Sequence, residues 1–436
     1  MLPAYLTPSR PTTYTFELTP ACTHDCLGCG NVFARSVDRS LRQAQGAIDG
    51  PVSISSVSAP GNPLDGAAWI DILERLRPHL LNLRLTGGEP TLHPDFPAIL
   101  QAVERLEVPF VLFSNGCWAA QRAQEIVELL SACRHLDGVL VSLHGADAAA
   151  HAAYVGRDTF DEVCANITRL AQAGVRVGTN TLLLRSTAPQ LERVAALSLG
   201  LGASSVHFSR YYGPALPEVE LPPEELRAAL RCIDDLHRND RRVLFNNCIP
   251  LCFYQSSFSA HGCTSGFTHA TIDPWGWVRP CTHTPLRLGS ILDQPIESIW
   301  QGEELRQWRA RVPEPCLACG QFGACRGGCR ATAYQLGLAQ DPLITGLPPE
   351  PLAPPSEALR LPRLARPRAA FTLRRDGEVI YLFNRNRSLA VAPHSLPVLE
   401  ALDGSLTLEE LRARFGPQAL DFVGVLVQQG LVRIED

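Results

Sequence analysis

From residue 12 to about 210 short apolar runs alternate with stretches in which apolar residues recur every three to four positions. The runs YTFEL, LNLRLTGG, FVLFSNG, GVLVSLHG, VRVGTNTLLL and SVHFSR have the length and β-branched content of strands. Between them, AAWIDILERLR, DFPAILQAVERL, AQEIVELLSAC, FDEVCANITRLAQAG and PQLERVAALSLGLG carry the helical period. Six such units predict an α/β fold with a parallel sheet, most simply a partial (β/α)6 TIM barrel over residues 12–210. Its functional loops would lie at the C-terminal ends of the strands, and a doubly wound sheet is the alternative topology.

The pattern changes after residue 210. Residues 211–245 contain the helical PPEELRAALRCIDDLHRND and read as a bridging region into a cysteine-rich extension over 246–340. Residues 341–370 hold eight prolines and no periodicity, which predicts a stiff, extended linker. In 371–436, FTLRRDGEVIYLF reads as a hairpin turning at Asp376-Gly377, RSLAVAP as a third strand, and three short amphipathic helices follow.

Composition narrows the function. The chain has 436 residues, enough for two or three domains with real cores. A net charge of -5 without a basic block gives no footprint for nucleic acid. The N-terminus lacks the charged and apolar regions of a secretion signal, and no window approaches the apolar length of a membrane span, so a cytoplasmic protein is expected. Fifteen cysteines in that compartment point to metal or redox chemistry more than to disulfides.

Three of them, Cys22, Cys26 and Cys29, stand at C-x3-C-x2-C spacing in the loop after the first strand. Three thiolates can hold three corners of a 4Fe-4S cube and leave one iron open, although short cysteine spacings also bind zinc. The second strand ends in Thr86-Gly87-Gly88-Glu89-Pro90, where glycine permits close backbone approach and Glu89 supplies negative charge for a cation. Together these motifs resemble the radical S-adenosylmethionine (SAM) enzymes. In that family three cysteines carry the cluster, SAM chelates the open iron, and the Gly-Gly-Glu stretch lies against the ammonium of SAM. The resemblance implies that Gly87, Gly88, Glu89 and Ser142 contact SAM. The chain departs from the family at His144, where Asp is frequent, and at Val155, where an Arg is usual and Arg157 would substitute. It departs again at Gly28, where the family often places an aromatic residue before the third cysteine.

The segment 248–329 carries CIPLC, GCTSG, DPWGWVRPC and CLACGQFGACRGGC. The run G-x4-C at Cys281 followed by C-x2-C-x5-C-x3-C resembles the SPASM domain, which binds auxiliary 4Fe-4S clusters. The resemblance implies that Cys252, Cys263, Cys281 and Cys329 hold one cluster and Cys316, Cys319 and Cys325 a second, Cys248 being the alternative to Cys252. No cysteine follows Cys329, so Asp341, water or an open iron would complete the second cluster, or that cluster would be missing. Zinc ligation is the other reading of this segment. Cys133, Cys164 and Cys232 are expected as core thiols. Cys117 follows the third strand at the expected barrel mouth, where it could serve as a catalytic hydrogen-atom donor or pack as a loop thiol. Residues 371–436 resemble the peptide chaperone of pyrroloquinoline quinone biosynthesis, the RiPP recognition element, which binds the leader of a ribosomally made precursor peptide.

These resemblances imply a peptide maturase that takes an electron from a flavodoxin- or ferredoxin-type reductant, cleaves SAM to methionine and a 5'-deoxyadenosyl radical, and abstracts hydrogen from a precursor peptide. A cross-link, a thioether or an epimerised residue would result. A radical SAM enzyme acting on a small molecule such as a tetrapyrrole is the first alternative. A non-catalytic iron-sulfur electron-transfer or zinc protein is the second.

Overall fold

Strand β1 (Thr13–Glu17) shows why a parallel sheet forms. Tyr14 and Phe16 are fully buried in the main core with Trp69, while Thr15 and Glu17 are buried on the opposite face. A strand covered on both sides belongs inside a parallel sheet. The computed structural model describes residues 8–33, 62–246, 248–256, 262–347, 362–377, 379–384 and 388–435. In it β2 (Asn82–Thr86), β3 (Phe110–Ser114), β4 (Leu136–Ser142), β5 (Val177–Leu183) and β6 (Ser205–Arg210) follow β1 in sheet order, all parallel. Consecutive order is that of a partial barrel, since a doubly wound sheet reverses order at a switch point.

Helices α1 (Gly66–Leu76), α2 (Phe96–Arg105), α3 (Ala120–Ser131), α4 (Ala148–Val155), α5 (Phe160–Gln172) and α6 (Leu191–Gly200) provide the crossovers. Helix α1 shows the logic. The Asp65 carboxylate caps it by accepting from the Ala68 N–H, and Trp69, Ile72, Leu73 and Leu76 form one buried stripe.

The sheet continues at both ends. The expected bridge contributes α7 (Pro223–Asn239) and then β7 (Val243–Phe245), which pairs parallel to β6, so it is part of the sheet. On the other side β8 (His269–Ile272) pairs parallel to β1, followed by the antiparallel β9 (Trp277–Arg279) and β10 (Gly289–Ser290). The cysteine-rich extension also carries α8 (Ile296–Trp300), α9 (Glu303–Ala310), α10 (Phe322–Cys325) and α11 (Arg330–Gln335). Barrel and extension form one unit, Arg10–Glu350. The join is polar and dry. Arg279 pairs with Glu17, both essentially inaccessible, and donates to the carbonyls of Thr282 and Thr284. Thr15 Oγ1 lies 2.8 Å from His269 Nε2 beside it.

The second unit gathers Pro351–Asp436 with the first nine residues. The expected hairpin and third strand appear as β12 (Thr372–Asp376), β13 (Val379–Phe383) and β14 (Ser388–Val391), followed by α12 (Leu396–Glu400), α13 (Leu408–Phe415) and α14 (Gln418–Gln428). The boundary expected at 371 falls inside this unit. Strand β11 (Arg366–Ala369) pairs antiparallel with β15 (Val432–Glu435), and Ala365 is buried with Leu411 and Leu431. At the other end of the expected linker, Asp341, Leu343 and Ile344 are buried in the first unit. The linker's central residues, 348–361, lie outside the described residues. Among the described residues, no helix is long and apolar enough to cross a membrane.

Breaking a buried pair from one side typically costs about 3–5 kcal/mol, and without Glu17 the Arg279 guanidinium keeps only the more distant Asp273, at 3.9 Å. Glu17→Ala should therefore lower stability by roughly that amount in denaturant unfolding. The double change Glu17→Leu with Arg279→Met should recover only part of it, because the buried Asp273, 3.9 Å from Arg279, then loses its cation.

Candidate active site and auxiliary thiol clusters

The loop after β1 carries Cys22, Cys26 and Cys29, and three neighbouring segments fix its backbone. The Asp25 and Leu27 N–H groups donate to the carbonyls of Val155 and Tyr154 at the end of α4, at 3.0 and 2.7 Å. The Gly88 and Glu89 N–H groups donate to the carbonyls of Thr19 and Ala21, both at 2.7 Å. A Cβ on Gly88 would lie 2.3 Å from the Ala21 oxygen, so no side chain fits there. The Cys22 sulfur accepts from the His24 N–H at 3.4 Å and from Asn115 Nδ2 at 3.6 Å. Burial and the neighbouring thiols of Cys29 and Cys22 push the Cys26 thiol well above its ordinary range. Bound iron would reverse that balance by stabilising thiolates.

Glu89 is held by its own neighbours. Its carboxylate is inaccessible and accepts from the Thr91 hydroxyl at 2.7 Å, the Ser114 hydroxyl at 2.9 Å and the Asn115 N–H at 2.8 Å. Burial pushes the group up and these donors pull it back. With its acceptor sites so engaged, Glu89 ties the end of β2 to the end of β3. Asn115 receives that order and passes it to Cys22. Gly87 is likewise occupied, its carbonyl accepting from Asn31 Nδ2 at 2.9 Å.

The positions that depart from the family pattern have local explanations. Gly28 sits at φ +68°, and a Cβ there would stand 2.0 Å from the Tyr211 hydroxyl oxygen. Tyr211, from the loop after β6, thus brings an aromatic ring to the third cysteine from the far side, a contact without any local sequence signal. Val155 acts through its backbone carbonyl, and Arg157 is exposed. His144 accepts the Leu182 N–H at 3.3 Å, and its own N–H donates to His151 at 3.1 Å. His151 and His24 both approach the Thr159 hydroxyl, and burial pushes each down to about 4, so this cluster beneath the loop is uncharged at neutral pH. Ser142 ends β4 opposite Asn180. Cys117 is half-buried, donates to Glu162 at 3.3 Å, and has its thiol pushed up to about 11 by burial. Cys133 and Cys164 pack against the main core, and Cys232 against the core around α7.

In the extension, Cys248 has its thiol within hydrogen-bonding reach of Cys263 and Cys329, and Cys281 neighbours the same two. Cys252 is elsewhere. It lines a pocket with Cys316, Cys319 and Cys325. The grouping expected from the resemblance is thereby exchanged: Cys248 takes the place given to Cys252. The turn Ile249–Leu251 sends two cysteines four residues apart to different sites, a separation that spacing alone does not reveal. Asp341 accepts a two-pronged pair from the Arg210 guanidinium, at 2.8 and 2.9 Å. Among the described residues, no three His, Cys, Asp or Glu side chains converge tightly enough to hold a single metal ion.

The radical SAM superfamily pattern matches residues 16–197, which span β1 to α6 and so contain the three-cysteine loop and the Gly-Gly-Glu turn. Residues 16–197 are a radical SAM domain. An iron-sulfur cluster-binding domain of the SPASM type matches residues 263–320. The chain is 28% identical over 357 residues to the mycofactocin maturase MftC of Mycolicibacterium smegmatis, covering 76% of this chain and 81% of that one. It is 26% identical to the AdoMet-dependent heme synthase of Methanosarcina barkeri, covering 75% and 93%. In fold it is similar to Streptococcus suis SuiB bound to its precursor peptide SuiA, with TM-score 0.62, 16% identity, and coverage of 78% and 77%. The radical SAM domain implies a 4Fe-4S cluster and SAM as cofactors, and the SPASM domain implies auxiliary clusters.

Two outcomes test the site. Glu89→Ala removes the acceptor that orders Asn115, and a charge-assisted hydrogen bond is worth about 1.5–3 kcal/mol. SAM affinity should fall roughly tenfold to a hundredfold with auxiliary iron retained, measured by titration of the anaerobic protein. Gly28→Ala is both strained and blocked by Tyr211, so it should lower iron on the three-cysteine loop, and Gly28→Ala with Tyr211→Ala should restore part of it.

Proposed function

We propose that this enzyme is a peptide maturase in which Cys22, Cys26 and Cys29 hold the SAM-binding cluster and residues 362–435 capture the leader of a ribosomally made precursor peptide. The observation that carries the peptide reading is the open edge of β14. Among the described residues β14 pairs with β13 alone, leaving its other side available to an extended strand. Strand addition gives affinity through backbone hydrogen bonds, and partly buried Leu389 and Val391 flank apolar helices that would accept side-chain anchors. The similarity to a mycofactocin maturase across most of the chain supports the same reading.

When bound and reduced by one electron, the cluster with SAM supplies hydrogen-atom abstraction. The chain's own residues supply the setting. Asn115 and the His24 N–H donate to the Cys22 sulfur, Glu89 and Gly88 hold the loop, and the neutral histidines place no charge beneath it. A substrate radical that becomes a cross-link or thioether must lose a second electron and a proton, and the auxiliary clusters provide an acceptor for the electron. Epimerisation instead needs a hydrogen donor, and Cys117 stands near Thr23 as a neutral thiol suited to that role. The first electron would come from a flavodoxin- or ferredoxin-type protein.

A tetrapyrrole-type substrate is the second reading, favoured by the similarity to an AdoMet-dependent heme synthase. Deleting residues 351–436 separates the two. The cut spares Asp341–Ile344, and also avoids splitting the second unit as a cut at Ala365 would. Cluster content and uncoupled SAM cleavage should persist while precursor turnover falls steeply, read by mass spectrometry of the peptide. Full turnover by the truncated enzyme would sink the recognition role. Changing Cys22, Cys26 and Cys29 to Ala should abolish SAM cleavage and leave auxiliary iron; zinc in place of iron would overturn the scheme.

A further inference from the structure

We propose that Cys252 completes an all-thiolate 4Fe-4S site with Cys316, Cys319 and Cys325, that Cys248 completes the other with Cys263, Cys281 and Cys329, and that Arg330 is a cation shared by both. The inference rests on the iron-sulfur reading above. Residues 330–436 contain no cysteine, so within this sequence a fourth thiolate for the second site can come only from upstream.

Asp341 is not free to supply it. Its Oδ2 accepts from Arg210 Nη1 at 2.8 Å and from the Cys329 N–H at 2.7 Å, and its Oδ1 accepts from Arg210 Nη2 at 2.9 Å and from the Leu343 N–H at 3.0 Å. That carboxylate is 1% exposed and already neutralised by Arg210. Releasing it to iron would strand the buried guanidinium. Cys252 is placed where Asp341 is not. Its pocket is walled by Cys316, Cys319 and Cys325, the Leu251 N–H donates to the Cys325 sulfur at 3.4 Å, and Thr345 Oγ1 holds the Cys252 carbonyl at 3.1 Å.

Arg330 is the independent sign that these thiols carry charge. It is 4% exposed, its Nη1 donates to the Arg326 carbonyl at 3.0 Å, and its Nε and Nη2 have no hydrogen-bond partner. Among the described residues no carboxylate pairs with it. The thiols acting on it electrostatically are Cys263, Cys248 and Cys329 from one group and Cys316 from the other. The Phe267 ring, 4.9 Å from the guanidinium carbon, offsets part of the burial cost, yet two idle donors remain, and they are better matched to two anionic clusters than to neutral thiols. With four protein thiolates, neither auxiliary cluster has an open iron, so neither can ligate substrate and both are confined to carrying electrons.

The test uses full-length protein reconstituted anaerobically with Cys22, Cys26 and Cys29 changed to Ala, so that iron and EPR signals report the auxiliary sites alone. Cys252→Ala and Cys316→Ala should each weaken the same signal, and combining them should remove no more than either alone. Cys252→Ala combined with Cys263→Ala should remove both signals. Cys252→Ser, which retains an oxygen ligand and a similar volume, should shift the signal of that one cluster while iron is largely kept. Arg330→Gln should move both auxiliary potentials to more negative values, because removing a nearby cation disfavours the added electron. The assignment is overturned if Cys252→Ala leaves iron and EPR unchanged, if its loss adds to that of Cys316→Ala, or if Asp341→Asn reproduces it. Unmoved potentials in Arg330→Gln overturn the shared cation. Zinc in the parent protein overturns the underlying iron-sulfur reading instead.

Discussion

The pairing of β8 with β1 is the constraint on which the rest of the first unit depends. It places the cysteine-rich segment in the same hydrogen-bonded sheet as the barrel, and the buried Glu17–Arg279 contact locks the two at that seam. From there the extension folds back over the loop after β1. His283, two residues beyond Cys281, lies 3.1 Å from the Gly30 carbonyl and stacks on Tyr212, whose hydroxyl approaches Cys248. The His283 side chain therefore touches the backbone next to Cys29, while the backbone N–H of the same residue donates to the Cys281 sulfur at 3.4 Å.

Much of this was legible in the sequence because period and punctuation agree. Six strands and their crossover helices follow from apolar runs such as FVLFS and stripes such as Trp69, Ile72, Leu73 and Leu76, which burial alone dictates. The hairpin at Asp376-Gly377 is likewise a local signal. What escaped is set by contacts remote in sequence. β7 and β11 are short, and their pairing depends on β6 and β15 and not on their own pattern. The prolines around Pro367 suggested linker, yet Pro can sit in an edge strand where no partner needs its N–H.

The candidate site divides in the same way. The Gly-Gly-Glu turn was legible as a place of close backbone approach, and it does pack on the loop that carries Cys22, Cys26 and Cys29. The role of Glu89 did not. That a carboxylate is consumed by Thr91, Ser114 and Asn115 is a fact of the β2–β3 junction, and the residue type reads identically whether it meets a ligand or a hydroxyl. Cys248 and Cys252 are the clearest case. Four residues separate them, and the geometry of one turn decides which partners each one meets.

The seam at β1 also bears on how the chain assembles. Thr15 and His269 are 254 residues apart, so β1 leaves the ribosome long before its second neighbour exists. Through that interval a twice-buried strand has one unsatisfied edge, the kind of surface that recruits foreign strands. Sequence-distant pairing is slow to form. In chain order the cysteine-rich segment supplies the strands on this side of the sheet, so β1 gains its second neighbour only once that segment has emerged.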